Sequence, residues 1–210
     1  MKRKIANELV LYCKKLKKLG FLAGFSGNLS IKTGKDSFMI TPSGIDKGEI
    51  KPKDIIEMSF DGSVYGKEKP SSEWKMHSFL YTSKASPSAI IHTHPPFISF
   101  FSCSSIKIEK PLMAEFIITL GGLPKTPYFT PGSSEVEKSL AKYATKSKVL
   151  ILSNHGLVAF GSNLKNAFAL TEEAEHFAKI YYLSILAKKT SSIKKKKIPP
   201  LIKLAENFSF

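Results

Sequence analysis

His92 and His94 stand two residues apart in Ala89-Ile90-Ile91-His92-Thr93-His94, an apolar run that reads as a buried strand stopping at Pro95-Pro96. Alternate residues of a strand share a face, so both imidazoles can address one cation. His155 lies between Asn154 and Gly156, in a turn joining the apolar runs 149–152 and 157–160, where its ring can be exposed. Glu73, at the start of a helix, can add a carboxylate. Three imidazoles and one carboxylate match the nitrogen and oxygen ligand chemistry of zinc, and a catalytic site needs one position that opens to substrate. A His-x-His spacing by itself is equally met by histidines hydrogen-bonded in loops. His77 and His176 fall inside helices and are expected to be packed or surface residues.

A second group consists of small-residue loops. Gly27-Asn28, Ser43-Gly44 and Ser71-Ser72 each offer backbone N–H groups with an amide or hydroxyl. Ser71-Ser72 also opens a helix, a favourable place for a phosphate. Each alone reads as a turn or cap. Together, with one abutting Glu73, they outline an anion site that needs no arginine.

The elements that must position these residues follow from periodicity. Ile5, Leu9, Tyr12, Cys13, Leu16 and Leu19 share one face of an N-terminal helix that Gly20 can stop. Alternation over 29–40 predicts a hairpin, and Ile55 to Tyr65 a second one turning at Asp61-Gly62 with type I′ geometry. Ser71-Ser72-Glu73 opens a helix, and Ser133 or Ser134 caps another, with Glu137 three residues after Ser134 as a capping box. A long helix is expected over about 164–187. This alternation predicts one α/β domain, with a mixed sheet and helices on both faces.

The 210 residues carry 32 basic and 17 acidic side chains, a net charge of +15. Residues 1–18 and 188–210 each hold +6, leaving +3 across the 169 residues between them. Arg3 is the only arginine. Base readers and phosphate clamps favour the planar guanidinium, so specific nucleic-acid recognition is disfavoured and only salt-sensitive nonspecific binding is left open. The Lys194–Lys197 run reads as a solvated connector. No apolar run is long enough for a membrane-spanning helix. Cys13 and Cys103 form neither a disulfide framework nor a Cys-x-x-Cys site. These features predict a soluble, cytoplasmic protein with residues 1–190 as its domain and 191–210 as a basic linker and tail.

Ser26-Gly27-Asn28-Leu29-Ser30, Thr41-Pro42-Ser43-Gly44, Ser71-Ser72-Glu73, His92-Thr93-His94-Pro95 and Asn154-His155-Gly156-Leu157 occur in an order and spacing that resembles the class II aldolase/adducin family over residues 5–188. The resemblance is strongest to the branch acting on fuculose 1-phosphate. It implies a three-layer α/β/α fold around a mixed, largely antiparallel sheet, and a homotetramer with active sites between subunits. It implies one zinc ion per subunit on His92, His94 and His155, with Glu73 approaching the metal and acting as acid/base. Gly27, Asn28, Ser43, Gly44, Ser71 and Ser72 then hold the substrate phosphate, and the reaction is cleavage of a ketose 1-phosphate to dihydroxyacetone phosphate and an aldehyde.

Two positions depart from the aldolase pattern. Where a tyrosine from a neighbouring subunit protonates the leaving aldehyde, the corresponding position here falls near Glu115, in Met113-Ala114-Glu115-Phe116, and an acid in this region points also to the methylthioribulose-1-phosphate dehydratase branch. Where a C-terminal tyrosine closes the site, this chain ends Asn207-Phe208-Ser209-Phe210. Glu73 stands where the epimerase branch has an aspartate, and the retained histidines argue against a non-catalytic adducin-like role.

Overall fold

The computed structural model describes residues 1–188 and 190–207. Lys189 and the terminal Phe208-Ser209-Phe210, set above against the family's closing tyrosine, lie outside the described residues. In chain order the elements are α1 (Lys2–Lys18), β1 (Asn28–Lys32), β2 (Ser37–Ile40), β3 (Ile56–Ser59), α2 (Trp74–Thr82), β4 (Ala89–Thr93), α3 (Pro96–Cys103), α4 (Glu115–Ile118), α5 (Val136–Ala144), β5 (Val149–Leu152), β6 (Gly156–Gly161), α6 (Leu164–Leu186) and α7 (Ile198–Ala205). Short 3₁₀ turns occupy Pro52–Asp54 and Lys195–Lys197.

The six strands form one sheet in the order β3-β2-β1-β4-β6-β5. Every ladder between them is antiparallel. The mixed character expected from the sequence is confined to one parallel bridge, Lys125 to Ile151. The side-chain period of two divides the core between the faces. Ile91, Leu29 and Met39 pack with α1 and the start of α6, while Leu157, Ala159 and Ile151 pack with α3 and the rest of α6. Ile90, Val158, Phe160 and Leu150 pack on the other face against α2 and α5. Burying each such Leu or Ile contributes about 1.5–3 kcal/mol, enough for the two helical layers to hold the sheet between them.

Three local readings change. The turn after β3 is not type I′: Gly62 has φ 98° but Asp61 is not left-handed. A type I′ turn needs positive φ at both central residues. Instead Gly62 N–H bonds to the Ser59 carbonyl, and the turn centres on Phe60-Asp61. The capping box at α5 is not formed, since Ser133 Oγ accepts from Glu135 N–H instead. Finally, residues beyond Lys194 fold into a 3₁₀ turn and α7, although the lysines at 194–197 are exposed as expected for a solvated run. Among the described residues, no helix is long and apolar enough to cross a membrane.

Candidate active site

Three different elements deliver the histidines. His92, in β4, pairs in register with Asn28 of β1 and Val158 of β6, at the centre of the sheet. His94 lies just beyond the strand, its N–H held by the Phe21 carbonyl at 2.9 Å. His155 enters from the β5–β6 turn, where Asn154 adopts φ 55°, a left-handed conformation that asparagine tolerates better than most residues. Gly156 makes the convergence possible, because a Cβ there would lie 2.5 Å from both His94 Cδ2 and the Thr93 carbonyl oxygen. The ring centroids are 4.6 to 5.0 Å apart, and one ligand nitrogen from each ring lies within 4.8 Å of the others.

Glu73 closes this group. Its Oε2 lies 3.2 Å from His92 Nε2 and its Oε1 3.5 Å from His155 Nε2. His92 Nδ1 donates to the Leu157 carbonyl at 2.8 Å, which fixes the tautomer and leaves Nε2 facing the cluster. His92 Nε2 and His94 Nε2 approach to 3.1 Å. Glu73 Oε1 and His155 Nδ1 are buried without a hydrogen-bond partner. Converging imidazole nitrogens and an under-satisfied carboxylate are what a cation completes, so the donor set fits a divalent metal ion.

Electrostatics sort the members. Burial opposes charge on Glu73, but the charge and hydrogen bond of His92, then His155 and the Asn28 amide, hold its carboxyl well below the usual range. Burial likewise opposes charge on His92, and Glu73 with the Leu157 carbonyl overcomes it to raise the imidazole. His94 falls to about 3, through burial first and then repulsion from His92 and His155. His155 falls to about 4 by burial and then His92. The surroundings thus pull the Glu73–His92 pair toward charge and the His94 and His155 rings toward neutrality, each with a lone pair to offer.

Behind Glu73 runs a buried hydrogen-bonded chain that the sequence did not disclose. Asn28 Nδ2 donates to Glu73 Oε2 at 2.9 Å, so its Oδ1 must accept, and it does so from His77 Nε2 at 2.5 Å. The neutral His77 ring then accepts at Nδ1 from Ser30 Oγ at 2.6 Å, and Ser30 accepts from the Tyr81 hydroxyl at 2.6 Å. Only this donor order satisfies all five groups. His77 is fully buried, which pushes its pKa to about 3 with His92 adding repulsion, so the ring stays neutral. The available signal was the i, i+4 spacing of Glu73 and His77, which puts both on one side of a helix.

Gly27, Asn28, Ser43, Gly44, Ser71 and Ser72 all line one cavity of about 130 Å³, together with Glu73 and His94. Gly27 is required there: at φ 77° a Cβ would sit 2.9 Å from the His92 carbonyl oxygen. Ser71 Oγ accepts from Glu73 N–H at 3.3 Å and so fixes the entry to α2. Lys47 lines the same cavity and is 1% exposed, a buried cation that sequence reading passed over. Glu115 is not brought to this cavity: it sits exposed at the start of α4, where its charge acts on Glu173 of α6.

The class is thus an α/β protein whose antiparallel sheet, flanked by helices, carries a metal-capable cluster that opens onto a small-residue cavity. The profile of the Class II Aldolase and Adducin N-terminal domain matches residues 7–182, and the chain belongs to that family. It is 34% identical over 201 residues to the 5-deoxy-D-ribulose 1-phosphate aldolase of Bacillus thuringiensis serovar kurstaki, covering 94% of this chain and 91% of that one. It is 36% identical over 183 residues to the L-fuculose phosphate aldolase of Methanocaldococcus jannaschii, covering 87% and 98%. The solved structure of an L-fuculose 1-phosphate aldolase superposes with a TM-score of 0.85 at 34% identity, covering 95% of each chain. These matches bear out the expected fold and place the chain among lyases.

Proposed function

We propose that the protein is a zinc-dependent aldolase that reversibly cleaves a deoxy-ketose 1-phosphate to dihydroxyacetone phosphate and an aldehyde. One observation carries the reading: Glu73, His94 and the three small-residue loops line the same cavity, so an acid/base group, a metal ligand and an anion cradle meet on one small molecule. The named substrates of the aligned aldolases, 5-deoxy-D-ribulose 1-phosphate and L-fuculose phosphate, support the substrate class.

In this reading His92, His94 and His155 hold the zinc ion, with Glu73 within reach of it. When bound, zinc supplies Lewis-acid stabilisation of the negative charge that develops on the substrate carbonyl oxygen. The loops at Gly27-Asn28, Ser43-Gly44 and Ser71-Ser72 orient the phosphate, so that the carbon to be protonated lies beside Glu73. During cleavage the C4 hydroxyl gives up its proton, the C3–C4 electron pair is released toward the carbonyl and the aldehyde departs; Glu73, after taking up a proton from the medium, passes it to C3. In the reverse direction the ionised carboxylate, which its surroundings favour, takes that proton away. The chain from Tyr81 through Ser30, His77 and Asn28 keeps Oε2 in place during the transfer.

The same reading assigns the second acid/base role, at the C4 oxygen, to Glu115 acting in a neighbouring subunit's site within a homotetramer. A cytoplasmic location is part of the same proposal. Incubation with a panel of deoxy-ketose 1-phosphates, with products resolved by mass, tests the reaction. Two carbonyl fragments, one reducible by a dihydroxyacetone-phosphate reductase, are expected. A single product lighter by one water, with its carbon skeleton intact, would replace the aldolase reading with a dehydratase.

A further inference from the structure

Lys47 is among the most buried side chains of the protein. Its Nζ donates to the carbonyls of Ile45 at 2.8 Å, Pro42 at 3.2 Å and Phe25 at 3.4 Å. Three acceptors match the three N–H bonds of an ammonium, whereas a neutral amine would turn a lone pair toward one of the carbonyls. The geometry therefore calls for the charged form, although burial pulls the pKa of Lys47 down.

That buried charge has no carboxylate within ion-pair distance among the described residues. Asp46, next in sequence, is committed elsewhere: its Oδ2 pairs with Lys17 Nζ at 2.7 Å and its Oδ1 accepts from Gly48 N–H at 2.7 Å. A buried cation without a counter-ion is strongly disfavoured. Yet Lys47 lines the cavity shared by Gly27, Ser43, Gly44 and Ser72, and its three carbonyl partners belong to the two loops that carry Ser26-Gly27 and Ser43-Gly44.

We infer that Lys47 is the built-in counter-charge of the substrate phosphate: it ties the two loops together through their carbonyls and selects a phosphorylated ligand by its charge. The inference rests on the phosphate reading above and extends it, because neutral loop donors alone do not explain a buried lysine. All three N–H bonds are used by the protein, so Lys47 acts chiefly through the field it adds to the cavity.

Titration of the metal-loaded full chain with inorganic phosphate tests this, comparing wild type with Lys47→Gln and Lys47→Met. Glutamine keeps N–H donors for the loop carbonyls and removes the charge; methionine removes both. Phosphate affinity is expected to fall about ten-fold or more in both variants, the order of loss when one opposite charge a few ångströms away is removed at reduced effective dielectric. Lys47→Gln should meanwhile retain its melting temperature and metal content. Wild-type affinity in Lys47→Gln would overturn the counter-charge role and leave the phosphate site standing. Absence of phosphate binding by wild type would overturn both. A crystal structure of wild type with phosphate decides the matter even if both variants unfold: phosphorus within about 6 Å of Nζ supports the inference. Phosphate bound elsewhere refutes it.

Discussion

At the residue scale, the proposed reaction divides the cluster into groups that hold a cation and a group that moves a proton, and substitutions should separate them. Replacing a ligand ought to weaken metal binding by more than the roughly 10–100-fold typical of outer partners. Elemental analysis of His92→Ala and His94→Ala should accordingly find little metal, whereas Glu73→Gln should keep most of its metal and lose turnover. Equal metal content in all three would remove the histidines from the site. His77 makes a second prediction, about acid stability. Its pKa is about 3 when folded against an ordinary 6.5, so between these values the unfolded chain binds the extra proton. The stabilisation is complete above about pH 6.5 and declines toward pH 3 at about 1.4 kcal/mol per unit. Urea unfolding at pH 6.5 and 5.0 should show this stability loss reduced by about 2 kcal/mol in His77→Gln, which cannot take up that proton. Parallel losses in the two proteins would mean that His77 is not held neutral. The histidine and glycine positions were legible because strand alternation and loop composition are local. Lys47 was not, since nothing local marks a lysine whose acceptors come from two loops separated by β1 and β2.

At the element scale, helices whose ends are satisfied locally were readable and those capped from a distance were not. α1 and α6 follow their apolar stripes closely, and Asn163 caps α6 through the Asn166 N–H at 2.9 Å. α3 was missed because the sequence shows only a strand stopping at two prolines. Its cap comes from Glu175, on α6: the carboxylate accepts from Phe97 N–H and Ile98 N–H, each at 2.9 Å. Pro96 fits the first turn because its missing donor is not needed there. This contact also fastens the segment directly after His94. Glu175→Ala should therefore lower unfolding stability by about 1–3 kcal/mol, the penalty for orphaned buried donors, as read by urea denaturation. It should also weaken metal binding modestly. A variant as stable as wild type would show that α3 does not depend on this cap. The I′ turn and the α5 capping box failed for a related reason: dipeptide and four-residue signals name compatible residues, while the backbone selects among them.

At the scale of the whole molecule, the positive excess lies in the two terminal segments of the chain, neither of which lines the cavity that holds the buried Lys47. α1 carries one end on its outer face, and Lys17 reaches from it to Asp46 and to the Gly24 carbonyl, bracing the loops beside the site. The other end leads into α7, which packs near α4, the element carrying Glu115. The fold class and the convergence of the five motifs were readable from sequence because they follow from local patterns in a shared order. The packing of α7 on α4 depends on contacts nearly 90 residues apart and left no comparable signal. The central claim is that the cavity holds dihydroxyacetone phosphate so that Glu73 can exchange a proton with its hydroxymethyl carbon. This half-reaction needs no knowledge of the aldehyde. Metal-loaded protein incubated with dihydroxyacetone phosphate in deuterium oxide, and followed by proton NMR, should incorporate one deuterium at that carbon, and Glu73→Gln should incorporate none above the uncatalysed background. Bound dihydroxyacetone phosphate that gains no deuterium with wild type, or gains it equally with Glu73→Gln, would contradict the account.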